Sequence, residues 1–144
     1  MPESLRAPEL VVGALSRMLN EPLGPEARFE VHLELSEKYL GDAEELLARG
    51  DYVQASGKAW DAAAQIVKAV AAKEGRELRG HAELWVYVDG LAERAGDVVL
   101  RYLWRTANAL RQNFYEGWMP PREVELAVRD VKVLVEKLRA TVQR

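Results

Sequence analysis

Residues 110–121 carry the side chains whose chemistry could matter most in this chain. The segment reads LRQNFYEGWMPP, with one arginine, Arg111, and one asparagine, Asn113, among three aromatic residues. A turn between two helices needs only a glycine or asparagine and a proline, so the additional side chains indicate a corner that packs against or binds something specific. A guanidinium can bind phosphate through paired hydrogen bonds, and the rings of Tyr115 and Trp118 can stack on bases.

Metal-independent cleavage of RNA is one reaction that such residues could perform. It needs a base that deprotonates the 2′-hydroxyl and a cation that stabilises the charged phosphorane. Arg111 is the candidate cation. Glu116 is a candidate base only if burial makes its carboxylate more basic, and His81 only if the fold or a dimer brings it to Arg111. Alternatively, Arg111 pairs with a carboxylate or carbonyl at a helix end and His81 is an ordinary first-turn residue; we favour this interpretation and assign no catalytic residue.

Charged residues on the neighbouring helices suggest a binding site. A strip of arginines comprises Arg94, Arg101, Arg105 and Arg111. Such a strip can bind phosphates, or it can pair with the many glutamates of the chain. Asp61 lies among small apolar residues, so its burial would require a partner such as Arg105 or Arg111. The candidate binding residues are Asp61, Arg105, Arg111, Asn113, Tyr115 and Trp118.

Composition limits the possible functions. The 144 residues suffice for one domain with a buried core, and the net charge of −3 argues against binding of nucleic acid over the whole surface. There is no cysteine and there are only two histidines, so disulfides, thiolate sites and a multi-histidine zinc site are not expected. We interpret His32 as a peripheral packing residue, and we predict no metal and no cofactor.

The sequence also bears on location. No apolar run approaches the ~20 residues that a membrane span requires. Residues 1–10 contain an early acid and no apolar core, unlike a secretory signal. We therefore expect a cytoplasmic protein without membrane contact.

The positions of apolar residues, glycines and prolines predict helices throughout. We predict a single domain over residues 1–144, in which residues 1–24 form a first helix and a breaker segment and residues 25–144 form the core bundle. The helices are expected at 8–19, 25–49, 51–73, 81–95, 97–113 and 121–142, with Asp51 and Asp97 as N-caps. Short connections between helices imply an up-and-down antiparallel bundle of five to six helices.

Two helices have patterns that predict their place in the bundle. The third contains a block of alanines with Ser56 and Gly57, and small side chains let other helices approach closely, so it should lie at the centre. The last helix repeats apolar residues at alternating spacings of four and three, which predicts a narrow buried seam. The seam residues are Val124, Val128, Val131, Val135, Leu138 and Val142. In the fourth helix, the buried face is expected at Leu84, Trp85, Val88 and Leu91.

The order and spacing of three segments closely resemble the archaeal PaREP family. These segments are GDYVQASGKAWDAAAQIVKAVAAKEG, GHAELW and LWRTANALRQNFYEGWMPP, and the resemblance extends over roughly residues 35–138. The family in turn resembles HEPN-type helical bundles, which share a helix beginning with residues like Asp51, Tyr52 and Ala55. They also share a later helix that ends in an arginine followed by a tyrosine, here Arg111 and Tyr115.

The resemblance implies a HEPN-like fold, a homodimer and possible partners. Many HEPN-type proteins pair with minimal nucleotidyltransferases in toxin–antitoxin systems, and many are metal-independent ribonucleases. The ribonucleases carry an arginine followed after four to six residues by a histidine, but here those positions hold Glu116, Gly117 and Trp118. We therefore predict a non-enzymatic binding or interaction module, with a nucleotidyltransferase-like protein or an RNA as partner. Its dimer interface would use the end of the fifth helix and the 110–121 corner.

Two alternatives remain open. One is a ribonuclease with a degenerate motif, using Arg111 with Glu116 or His81. The other is nucleotide binding in a basic cleft between helices that contains Arg105, Arg111 and Tyr115.

Overall fold

The computed structural model describes residues 7–143, and all regular structure in this range is helical. The six helices are α1 (Ala7–Met18), α2 (Pro25–Ala48), α3 (Tyr52–Lys73), α4 (His81–Ala95), α5 (Val98–Glu116) and α6 (Pro121–Val142). The predicted all-α bundle is confirmed. The predicted domain limits at residues 1 and 144, and part of the segment weighed as a secretory signal, lie outside the described residues.

Helix α3 is the centre of the bundle, as its small side chains predicted. It contacts α2, α4, α5 and α6, whereas α1 contacts α2. Small residues allow several helices to approach one axis at once. The buried small residues of α3 are Ala55, Ser56, Gly57, Ala59, Ala62, Ala63, Ala64, Ala69, Ala71 and Ala72.

Helices α5 and α6 bury the stripes that their sequences predicted. The buried apolar residues of α5 are Leu100, Leu103, Trp104, Ala107 and Leu110. On α6, the seam residues from Val124 to Leu138 are buried, and Val142 packs against the core at its edge. Helix α1 packs outside this core, where Leu15 contacts a small apolar cluster formed by Val31 and Leu35 on the back of α2.

The buried face of α4 differs from the predicted one. Tyr87 is buried and Trp85 is 38% exposed. The hydroxyl of Tyr87 donates a hydrogen bond to the carboxylate of Glu74, and the guanidinium of Arg76 lies over its ring at 5.1 Å. Because these partners come from beyond the end of α3, the local pattern of α4 could not reveal which aromatic residue turns inward.

Helix α5 continues one turn beyond its predicted end. Residues 114–116 are helical, and the connection to α6 is reduced to residues 117–120. Gly117 ends the helix in the left-handed conformation, with φ of 62°, and its N–H donates to the carbonyl of Asn113 at 2.7 Å. The predicted end at Asn113 is therefore wrong, and the side chain of Asn113 is hydrogen-bonded within the fold.

The predicted N-caps are confirmed. The carboxylate of Asp51 accepts from the N–H of Gln54 at 3.2 Å, and that of Asp97 accepts from the N–H of Leu100 at 3.0 Å. No helix within residues 7–143 is both long enough and apolar enough to cross a membrane.

Candidate functional site

Arg111 points from α5 towards α3 and lies between two aromatic rings. Its guanidinium carbon is 5.8 Å from the ring centroid of Trp60 and 5.6 Å from that of Tyr115. Both distances are within the range of a cation–π interaction. The ion pairs found among residues 10–143 do not include Arg111, so the expected pairing with a carboxylate at a helix end is wrong.

His81 begins α4 and reaches the same indole ring as Arg111. The centroids of the His81 and Trp60 rings are 5.5 Å apart, in an edge-to-face arrangement. The Nε2 atom of His81 lies 2.6 Å from Oδ1 of Asn108, which can only accept, so Nε2 donates. Asn108 is one helical turn before Arg111. The fold thus brings His81 and Arg111 to one aromatic surface. Their proximity is the condition on which a catalytic role of His81 depends.

Three tryptophans hold this arrangement together. The ring of Trp104 is 5.4 Å from that of Trp60 and 5.9 Å from that of Trp85. Trp104 is buried, and its Nε1 atom has no hydrogen-bond partner within the described part of the chain. The sequence did not single out Trp60 as the residue that joins Arg111 to His81. The available signal was a single indole in a helix of small residues.

Asp61 lies beside Trp60 at a small groove of about 190 Å³, which is also lined by Phe114 and Tyr115. Burial raises the pKa of the Asp61 carboxyl above its usual value, and the positive charges of Lys58 and Lys68 oppose that shift. The expected partners were arginines of α5, but the basic groups that act on Asp61 belong to its own helix. The physical reason is that α5 turns its arginines onto aromatic rings instead.

Two of the four arginines in the strip, Arg94 and Arg101, form ion pairs with acidic residues. Arg101 binds Asp89 at 2.5 Å and Glu93 at 2.9 Å, and Arg94 lies 3.7 Å from Glu74. Neutralised arginines contribute little to phosphate binding, so the interpretation as pairing with acidic residues applies to this part of the strip.

Arg105 and Tyr115 do not share a cleft. Arg105 lies over the ring of Tyr102 at 5.9 Å and lines a groove of about 320 Å³ with Trp85. Tyr115 lines the groove that contains Asp61. The basic cleft expected to combine Arg105, Arg111 and Tyr115 is therefore divided between two faces of α5.

Asn113 is a buried structural residue and not a surface ligand, which corrects its selection as a binding residue. It is 1% exposed. Its Nδ2 donates to Oγ of Ser56 at 2.9 Å, and its Oδ1 accepts from the N–H of Met119 at 2.6 Å. Ser56 in turn donates to the carbonyl of Tyr52 at 2.8 Å. Asn113 therefore ties the end of α5 to the start of α3 and to the connection that follows.

The aromatic residues of the 110–121 corner are exposed, and Phe114 packs closely against α3. Tyr115 is 71% exposed and Trp118 is 51% exposed. Phe114 lies on Gly57 so closely that a Cβ atom there would come within 2.5 Å of its ring. Glu116 is exposed, so it lacks the burial that a role as general base would need.

His32 is buried, which corrects its interpretation as peripheral packing. Its Nδ1 lies 2.6 Å from Oε1 of Gln65 on α3 and donates to it. Burial lowers the pKa of the His32 imidazole, the hydrogen bond to Gln65 raises it, and the positive charges of Lys68 and Arg28 lower it further. The neutral form is therefore favoured in the folded protein.

The fold and the corner define an all-α helical-bundle protein with an aromatic and cationic surface at the end of α5. The chain matches the model of the archaeal PaREP1/PaREP8 family over residues 31–135, and it belongs to that family. This confirms the resemblance to the archaeal PaREP family.

A solved structure shares the fold. A crystal structure of a protein from Sulfolobus solfataricus superimposes with a TM-score of 0.67 at 24% identity, covering 76% of this chain and 97% of that one. At this identity the likeness concerns the fold alone. No protein with a curated description matches the chain.

The buried hydrogen bonds of Asn113 predict a specific loss of stability. Replacing Asn113→Ala leaves the N–H of Met119 without its partner and opens a small cavity. We expect the free energy of unfolding to fall by about 2 kcal/mol, as measured by urea denaturation followed by circular dichroism. The matched control is Gln112→Ala at the exposed neighbouring position, with an expected change within about 0.5 kcal/mol. Equal effects of the two substitutions would contradict this role.

The lowered pKa of His32 predicts a dependence of stability on pH. Above about pH 6.5 the imidazole is neutral in both states. As pH falls below that value, the unfolded chain takes up a proton that the folded protein resists, so the free energy of unfolding falls until the lower folded-state pKa is reached. The variant His32→Gln retains a polar side chain but cannot titrate. Its stability should fall less between pH 7.5 and pH 5; the same slope as in the unsubstituted protein would contradict the prediction.

Proposed function

We propose that this protein is a non-enzymatic interaction module that assembles as a homodimer. The observation that supports this most is an exposed apolar surface formed by the outer sides of α5 and α6 and the connection between them, which we call the α5–α6 face. Its exposed members are Val99, Tyr102, Trp118, Leu126 and Val133. Exposed apolar residues on two helices that pack side by side are typical of a protein interface.

The rigidity of the corner supports an interface at this position. Asn113 binds the N–H of Met119, Gly117 closes α5, and Pro121 opens α6 directly after Pro120. Trp118 therefore lies in a connection whose backbone is already held in one conformation, and this connection would lose little conformational entropy on binding a partner. Preorganised aromatic residues bind partners with a smaller loss of conformational entropy, and tryptophan and tyrosine are frequent in binding hot spots.

The surroundings of the face favour a second copy of the chain over a nucleic acid. A groove of about 260 Å³ beside Trp118 is lined by Ala109 and Leu126 and also by Glu123 and Asp130. Carboxylates at this position would repel phosphates. A two-fold interface uses the same patch on both subunits, so the aromatic residues of one copy would face Ala109 and Leu126 in the groove of the other.

The HEPN-like resemblance fits this proposal, since such proteins are commonly homodimers. A nucleotidyltransferase-like protein or an RNA, as in toxin–antitoxin pairs, would then bind to a preformed dimer in the cytoplasm. The surface around Arg111, Trp60 and Tyr115 lies on a different side of α5 from the α5–α6 face, and it would stay accessible to such a partner.

A dimer should be detected by size-exclusion chromatography with light scattering at tens of micromolar protein. The variants Trp118→Ser and Leu126→Glu remove apolar contact from the centre of the α5–α6 face, and both should shift the protein to monomer. Val86→Glu is the matched control, because Val86 is exposed on α4 outside that face. A monomer before substitution, or a dimer that all three variants retain, would overturn the proposed interface.

The degenerate ribonuclease is the second candidate, and the shared contact of His81 and Arg111 with Trp60 is the observation that favours it. With its proton on Nε2, neutral His81 has Nδ1 as its basic atom. That atom would accept the proton of a 2′-hydroxyl, whose oxygen attacks phosphorus to form a 2′,3′-cyclic phosphate. The imidazolium would then return the proton to the departing 5′-oxygen. Arg111 would stabilise the negative charge that develops on the phosphorane.

RNA cleavage in the presence of a metal chelator separates the two candidates. For an interaction module, we expect no cleavage of single-stranded or structured RNA by the unsubstituted protein. Cleavage that is lost in both Arg111→Ala and His81→Ala, but kept in the control Arg105→Ala, would establish the ribonuclease and overturn the non-enzymatic part of the proposal.

A further inference from the structure

A separate cleft of about 790 Å³ opens on the side of the bundle formed by α2 and α3. Its walls are the connection between α1 and α2, the first turns of α2, the end of α3 and the connection between α3 and α4. Ligand sites for small molecules are typically ~300–1,000 Å³ in volume, so the cleft is large enough for a metabolite. None of the residues discussed for the corner lines it.

The cleft is predominantly basic. Its lining includes the cations Arg28, Lys68, Arg76 and Arg79, together with the imidazole of His32. The acidic residues of the lining are Glu21 and Glu77. Since the chain as a whole carries a net charge of −3, this excess of positive charge is local and runs against the overall composition.

Arg28 is the most constrained of these cations. It donates to the carbonyl of Leu19 at 3.2 Å and forms an ion pair with Glu77, so it anchors the connection before α2. Its Nε atom is buried and has no hydrogen-bond partner in the part of the chain described here. An orphaned guanidinium donor in a polar cleft is a group that an incoming oxyanion could satisfy.

Lys68 is a half-buried cation without a close counterion. It forms no ion pair within 4 Å among the residues with described side chains, and burial lowers the pKa of its ammonium group. Its attraction to Asp61 only partly offsets that effect. A cation held in a partly desolvated site without a partner is costly, and a bound anion would remove that cost.

We infer that this cleft binds a small organic anion, with an oxyanion head held by Arg28 and Lys68 and a short aliphatic body. The apolar part of the lining, Leu19, Leu23 and Leu78, would contact the body. The lining contains no phenylalanine, tyrosine or tryptophan on which a base could stack, which disfavours a nucleotide. Phosphate and carboxylate heads share the chemistry that Arg28 and Lys68 recognise.

Binding can be tested with inorganic phosphate, glycerol 3-phosphate and succinate. Each is titrated into the full chain while the melting temperature and the ¹H–¹⁵N amide shifts of residues 19–35 and 65–79 are followed. We expect glycerol 3-phosphate or succinate to raise the melting temperature with saturation and to shift amides confined to those ranges. The anion that binds more tightly identifies the head group.

Lys68→Met keeps the aliphatic length and removes the charge, and it should weaken the affinity roughly tenfold, as expected for loss of a charge-assisted hydrogen bond. Lys132→Met, on the exposed surface of α6, is the matched control and should bind like the unsubstituted protein. No saturable shift with any of the three anions would overturn the inference. An equal response of both variants would also overturn it, because the anion would then act on general surface charge. The cleft lies apart from the α5–α6 face, so the result does not depend on whether the protein dimerises.

Discussion

The close approach of four helices to α3 is the constraint on which the rest of the structure depends. Alanine, serine and glycine along α3 leave almost no side-chain thickness between its backbone and its neighbours. Gly57 is the extreme case, since the ring of Phe114 occupies the space that a Cβ atom would need. Most other side chains of α3 are small, so its one indole, Trp60, extends far enough to contact both α4, at His81, and α5, at Trp104. The arrangement of His81 and Arg111 follows from that packing.

Polar interactions then position what the apolar packing leaves at the surface. Asn113 continues the inward stripe of α5 as a carboxamide, and it uses both of its polar atoms to fix the first turns of α3 and the backbone at Met119. A leucine at this position would bury equally well but would leave that N–H unsatisfied. The exposed rings of Tyr115 and Trp118 therefore extend from a rigid end of the bundle, which is the property that suits an interface.

Charge is distributed unevenly between two sides of the molecule. On α4 and α5, Arg94 and Arg101 form ion pairs with acidic residues. On the side of α2 and α3, the cations Arg28, Lys68, Arg76 and Arg79 line a cleft with only two carboxylates, those of Glu21 and Glu77. A net charge of −3 conceals this division, since it sums over the two sides.

The sequence by itself determined the six helices, their caps at Asp51 and Asp97, the central place of α3 and the buried seam of α6, because each depends on residues within a few turns of one another. The family could likewise be identified from the order of its segments. Only the tertiary structure decided that α5 continues to Glu116, that Tyr87 turns inward in place of Trp85, and that Arg111 meets Trp60. Those outcomes depend on how each helix is rotated against its neighbours, and that rotation is set by contacts between residues far apart in the chain.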